Sequence, residues 1–233
     1  MAHIRRLIAH WHPLVRSLRP ELRAGVLNRM VYSPEHRFVY FRIPKSANST
    51  IMVNLANLMH GESEPYSGEM KSREARRLSL LLRTPKSLSR RNFVFTFVRN
   101  PYSRVLSAYL DKINRPDRKD HFGVEGEVSY RDFLERLDDG LLYGNVHWVP
   151  QADLLPLADM TFSKIGKVET LSADLAEISE RIFGKAAANM NRESGRTHAS
   201  SRMSEFYGPQ EKRLVEKLYA RDFELFYPDH AFA

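Results

Sequence analysis

The chain predicts an α/β fold, a P-loop-like three-layer sandwich in which helices flank a mainly parallel central sheet. Three observations carry that reading. Phe38-Val39-Tyr40-Phe41 is an apolar run of strand length that empties into a hydroxyl-rich loop, and a helical segment over 51–58 follows at once. The plan repeats at Asn92 to Val98, an aromatic and β-branched run after which Pro101 opens a helix, with Val105, Ala108, Tyr109 and Lys112 at helical spacing. Further on, 161–168 reads as a strand and 171–183 as a helix closed by Gly184. Strands that alternate with helices run parallel and hold ligands at their carboxyl ends.

The remaining elements follow in order. Ile4, Leu7, Ile8, Trp11, Val15 and Leu18 recur at helical spacing, with Arg5, Arg6, Arg16 and Arg19 mostly elsewhere on the wheel, so 1–37 reads as a basic amphipathic segment divided at Pro13. It suits docking on its own domain or a partner subunit, and peripheral contact with a membrane surface is the alternative. Residues 61–70 read as a loop, and the segment after it as helical up to Leu82, before Thr84-Pro85. The polar stretch 114–128 reads as a loop, 130–137 as a short helix ending at Gly140, 184–207 as a second polar loop and 209–219 as the last long helix. At 233 residues the chain reads as a single domain, with a core over 38–114 and acceptor-side loops and C-terminal helices over 115–233.

The first strand-loop-helix unit builds an anion cradle. Loop and first-turn N–H groups point at one spot, the helix N-terminus is partly positive, and Lys45 adds a full charge. A nucleoside triphosphatase is excluded, because its loop needs G-x-x-x-x-G-K-[ST] and this one holds no glycine and carries its lysine early. Neither Gly166-Lys167-Val168 nor Gly184-Lys185-Ala186 supplies that motif. In the second unit, Arg99 at the strand end and Ser107 two turns into the helix pair a guanidinium with a hydroxyl, a grip for a further phosphate.

Two phosphate grips suit a nucleotide with phosphates at both ends. The pair resembles the sulfotransferases that use 3′-phosphoadenosine 5′-phosphosulfate (PAPS), and Arg99-Asn100-Pro101-Tyr102-Ser103-Arg104 with Ser107-Ala108-Tyr109 is similar to the carbohydrate branch that includes chondroitin 4-sulfotransferase and the HNK-1 enzyme. Shorter echoes follow in order at His147-Trp148-Val149-Pro150-Gln151, 166–171 and 218–226. The animal members often carry a cysteine where this chain has Ala47.

The resemblance implies a PAPS-dependent sulfotransferase, with PAP as product and no metal required. Pro44, Lys45, Ser46, Ala47, Asn48, Ser49 and Thr50 would take the 5′-phosphosulfate, with Lys45 catalytic through the charge that grows on the leaving phosphate. Thr50 reads alternatively as a helix cap. Arg99 and Ser107 would bind the 3′-phosphate, while Arg104 suits a structural ion pair. The acceptor hydroxyl needs a general base. His147 is the first candidate, with a structural or acceptor-positioning histidine as its alternative reading; His60 is the second, and His198 the third. The segment 196–202, with Arg202, suits a fold over the donor's 3′-phosphate or adenine, and Arg196 and Arg202 read equally as plain surface charges. Glu169 reads as a pin between strand and helix, and Trp148 as either acceptor platform or core.

The acceptor implied is a carbohydrate or glycolipid, with a protein or small molecule as the alternative and a non-catalytic polyanion binder as the reading from another class. The net charge of +8 includes eight basic residues against Glu74 between Lys71 and Arg91, a solvated face or a positive rim that gathers the donor. No nucleic-acid module accompanies it, so nucleic acid is not the expected partner. No apolar run reaches the ~18 to 20 residues of a membrane span, and no signal-peptide core opens the chain. The absence of cysteine suits a reducing compartment. Together these give the expectation of a soluble, bacterial-type, cytoplasmic enzyme without a membrane anchor.

Overall fold

The computed structural model describes residues 12–61, 92–114, 127–187 and 197–229. The start of the amphipathic segment, the basic run 71–91, most of the polar stretch 114–128 and Arg196 lie outside the described residues. The strands are β1 (Met30–Ser33), β2 (Phe38–Phe41), β3 (Phe93–Val98) and β4 (Lys164–Lys167). The helices are α1 (Pro20–Leu27), α2 (Asn48–His60), α3 (Pro101–Lys112), α4 (Tyr130–Asp138), α5 (Leu171–Phe183), α6 (Met203–Phe206), α7 (Pro209–Leu218) and α8 (Ala220–Phe226). Two compact units result: one of 12–61, 92–98 and 153–187, the other of 99–114, 127–152 and 197–229.

The first unit is built on a sheet of order β1-β2-β3-β4, in which β2, β3 and β4 run parallel and β1 pairs antiparallel with β2. Side chains alternate across a strand. Phe38, Tyr40, Phe95 and Phe97 therefore share one face, where they pack on Ile51, Met52 and Leu55 of α2 and Leu171, Leu175 and Ile178 of α5. Each such side chain contributes about 1.5–3 kcal/mol by leaving water. The Tyr40 and Phe95 rings stack at 4.8 Å. Gly166 in β4 lies under the Phe97 ring, and a Cβ there would come within 2.6 Å of it, so only glycine lets the strand approach.

At the β4–α5 corner Glu169 is exposed, and Asp174, not singled out from sequence, ties strand to helix by accepting from the Lys167 N–H at 2.9 Å and the Thr170 hydroxyl at 2.6 Å. A further difference concerns the segment before Phe38. It was expected only as a basic amphipathic stretch, yet it holds α1 and the edge strand β1, whose four residues are all buried.

The second unit is helical, and its core is aromatic. The Tyr207 hydroxyl donates to the Tyr102 carbonyl at 2.7 Å, so in its 2.5 Å contact with the Tyr130 hydroxyl it accepts. α4 begins at a capping box, with Ser129 Oγ accepting from the Asp132 N–H at 3.1 Å and the Asp132 carboxylate accepting from the Ser129 N–H at 3.3 Å. Trp148 is 3% exposed, meets Phe133 edge-on at 5.6 Å and donates to the Leu141 carbonyl, which makes it core. Among the described residues no helix is long and apolar enough to cross a membrane.

Candidate active site

In the first unit the chain leaves β2 at Phe41 and enters α2 at Asn48. Lys45 and Ala47 take left-handed backbone conformations, with φ of +68° and +54°. Each costs roughly 1–2 kcal/mol in a residue with a Cβ. Left-handed residues interspersed in a turn swing backbone N–H groups toward one side, the geometry of anion-binding concavities. Ala47 is the cap of α2 and offers no side-chain acceptor, and the first turn holds no acid. The 13-residue helix thus presents an undiluted positive end. The Tyr40 hydroxyl donates to Asn48 Oδ1 at 2.9 Å and ties the helix start to the strand. Burial pushes that phenol far above its ordinary range, which keeps it a donor.

Ser46 is buried, Ser49 is half-buried, and Thr50 lies within the first turn of α2 instead of capping it. Pro44 is buried ahead of them. His60 is the last residue of α2 and exposed. Twelve residues past Asn48, it stands about 18 Å along the helix axis from the loop. Two arginines not singled out from sequence sit beside the carboxyl end of β2. Arg42 donates to the carbonyls of Arg29 at 2.8 Å and Asn28 at 3.2 Å, and Arg29 to that of Gly25 at 3.2 Å. Burial lowers the pKa of both guanidiniums, and the Arg42 charge adds to the effect on Arg29.

In the second unit Arg99 is held by its own backbone. Its N–H donates to Gln151 Oε1 at 2.8 Å, and its carbonyl accepts from Gln151 Nε2 at 2.9 Å. Gln151 is fixed in turn by Asp222, whose carboxylate accepts from the Gln151 N–H at 2.8 Å, Gln151 Nε2 at 3.2 Å and the Ala152 N–H at 2.7 Å. The guanidinium is then aimed by hydroxyls, through Nε to Ser103 Oγ at 3.0 Å and Nη2 to Ser200 Oγ at 3.0 Å. Ser107, one helical turn past Ser103, lies 3.1 Å from Thr197 Oγ1. The segment 197–200 therefore does come to Arg99 and Ser107. Arg202, on the same segment, is engaged by Glu205 at 2.8 Å and lies over the Phe206 ring.

Arg104 is fully buried and donates to the Val149 carbonyl at 2.9 Å and the Val146 carbonyl at 3.5 Å. Burial pulls Arg104 below its ordinary range and pushes Asp222 above its own, and the charge of each opposes the shift of the other. The Tyr219 hydroxyl donates to the Trp148 carbonyl at 2.6 Å. Three separate sequence signatures, 99–109, 147–151 and 218–226, thus close into one buried network behind Arg99.

His147 is half-buried, and its Nδ1 lies 2.7 Å from Asn145 Oδ1. His198 is exposed, at a φ of +47°. Among the described residues no group of three or more His, Asp or Glu side chains is placed to hold a metal ion.

The model of the Sulfotransferase family matches residues 28–228. The chain belongs to that family. The match covers both grips and the network behind Arg99. Carbohydrate sulfotransferase 10 of Xenopus laevis is 26% identical over 246 residues, which cover 86% of this chain and 67% of the relative. Carbohydrate sulfotransferase 14 of Danio rerio is 28% identical over 191 residues, covering 71% and 51%. The human carbohydrate sulfotransferase 10 is 24% identical, covering 86% and 67%. The chain therefore spans about two thirds of the length of the first kind of relative and half of the second. No solved structure matches it. The expected mainly parallel sheet flanked by helices is present.

Proposed function

We propose that the chain transfers the sulfuryl group of PAPS to a hydroxyl of a carbohydrate or glycolipid by in-line displacement. The observation that carries the reading is the arrangement around Arg99. A strand-end arginine is locked through its backbone, and its guanidinium and adjacent hydroxyls make a second oxyanion grip that a simple nucleoside 5′-phosphate does not require. The carbohydrate acceptor is supported by the names of the relatives. The lack of cysteine agrees with a cytoplasmic location.

PAPS supplies the sulfuryl group and a phosphate leaving group. Lys45 and the backbone N–H groups of residues 46–50 stabilise the charge that develops on the 5′-phosphate. Arg99 and Ser107, helped by Ser103, Thr197 and Ser200, bind the 3′-phosphate. His147 accepts the hydroxyl proton as the acceptor oxygen bonds to sulfur and the sulfur–phosphate oxygen bond breaks, leaving the electron pair on the phosphate. His60, at the far end of α2 from the loop, is given no role in this proposal.

Thermal unfolding with and without PAP tests the donor site. Ligand at about a hundred times its Kd adds ~2.7 kcal/mol of stability. Wild type should melt higher with PAP, and Arg99→Ala should lose most of that rise. An unchanged melting temperature at millimolar PAP would sink the reading.

A further inference from the structure

We infer that Asn145 sets the tautomer of His147 and so makes its Nε2 the proton acceptor, a positioning role that rests on the assignment of His147 as the base. Asn145 Oδ1 accepts from the backbone N–H of His147 at 3.1 Å, two residues on. This turn fixes which way the amide points, because only its oxygen can accept from an N–H. The same oxygen lies 2.7 Å from the His147 ring at Nδ1. An amide oxygen has no proton to give, so Nδ1 must carry one. Neutral imidazole has a single N–H, and the lone pair is therefore on Nε2.

The local chain supports this arrangement on both sides. The Asn145 carbonyl accepts from the Trp148 N–H at 3.1 Å and the Val149 N–H at 3.3 Å, so the residue is tied down by its main chain as well. Val149 in turn takes the Arg104 guanidinium on its carbonyl, and Trp148 takes the Tyr219 hydroxyl. The turn that carries the base is thus anchored to the network that holds Arg99. A histidine with the opposite tautomer would present an N–H to the acceptor hydroxyl and could not take its proton. Loss of the group that orients a catalytic imidazole is known to be costly for this reason.

Three variants and one spectroscopic reading test the inference. Asn145→Ser keeps an oxygen for the backbone turn, but its hydroxyl is too short to reach the ring. Asn145→Asp keeps an acceptor for both. In steady-state transfer from PAPS to an accepted glycan, Asn145→Ser should lower kcat by about 10- to 100-fold, with the KM for PAPS unchanged. Asn145→Asp should retain most of the turnover. Nitrogen-15 shifts of the imidazole, with the His147 signals assigned by their absence in His147→Gln, should show the proton on Nδ1 in wild type and a mixture of tautomers in Asn145→Ser. A wild-type ring protonated on Nε2, or an Asn145→Ser enzyme of unchanged kcat, overturns the inference. His147→Gln with wild-type activity would instead remove the base assignment itself, and PAP binding would still stand.

Discussion

At the scale of single residues, the loop between β2 and α2 builds the proposed phosphate cradle without glycine. Lys45 and Ala47 accept left-handed backbone, and the strain is tolerated because Ser46 is buried and Tyr40 holds Asn48 from behind. The absence of glycine separates this loop from that of nucleoside triphosphatases, but the conformations that glycine would favour are still used. No sequence pattern announces a left-handed lysine, so this part of the site was not legible beforehand. In the proposed reaction Lys45 stabilises the leaving phosphate, and Lys45→Ala should lower turnover on the order of a hundredfold or more. The melting temperature should change little, since no core packing is lost. A comparable fall in stability and in activity would assign the lysine to the fold instead.

At the scale of elements, the parts that were legible are those whose signal is local. The helix 171–183 and its Gly184 stop appear as expected, with Gly184 at a φ of +67°, and β3 begins one residue later than Asn92. α2 starts at Asn48, three residues before the expected Ile51, because the hydroxyl-rich stretch forms the first turn of the helix itself. β1 was missed, since Met30-Val31-Tyr32-Ser33 follows a basic stretch and is buried on both faces, which leaves no alternation to read. The pairing of Gln151 and Asp222 behind Arg99 was also hidden, because 71 residues separate them. Their motifs were seen, but not their joint purpose. Gln151→Leu strands the buried polar groups of Arg99 and Asp222, at a cost of about 1–3 kcal/mol for each unsatisfied group. It should lower the melting temperature and weaken PAP binding together. PAP affinity equal to wild type, measured calorimetrically, would mean that Arg99 is held in another way.

At the scale of the whole molecule, the sheet-based unit carries the glycine-free loop, and the helical unit carries Arg99, Ser107 and His147. The division is sharp along the chain. Val98 ends the last central strand and Arg99 opens the other unit, so the second grip begins where the sheet stops. The family match extends across both units, from residue 28 to 228. Acceptor choice is the least constrained property, since one fold can host many specificities. The most direct measurement of the central claim is transfer of labelled sulfate from PAPS to a panel of unsulfated glycans, with wild type, Lys45→Ala and His147→Gln side by side. Wild type should label at least one glycan, and Lys45→Ala should lose that transfer on the order of a hundredfold or more. His147→Gln should lose transfer while PAP binding is retained. Label on no glycan, from a protein whose melting temperature PAP raises, would contradict the claim of carbohydrate sulfation and leave a donor-binding protein with a different acceptor.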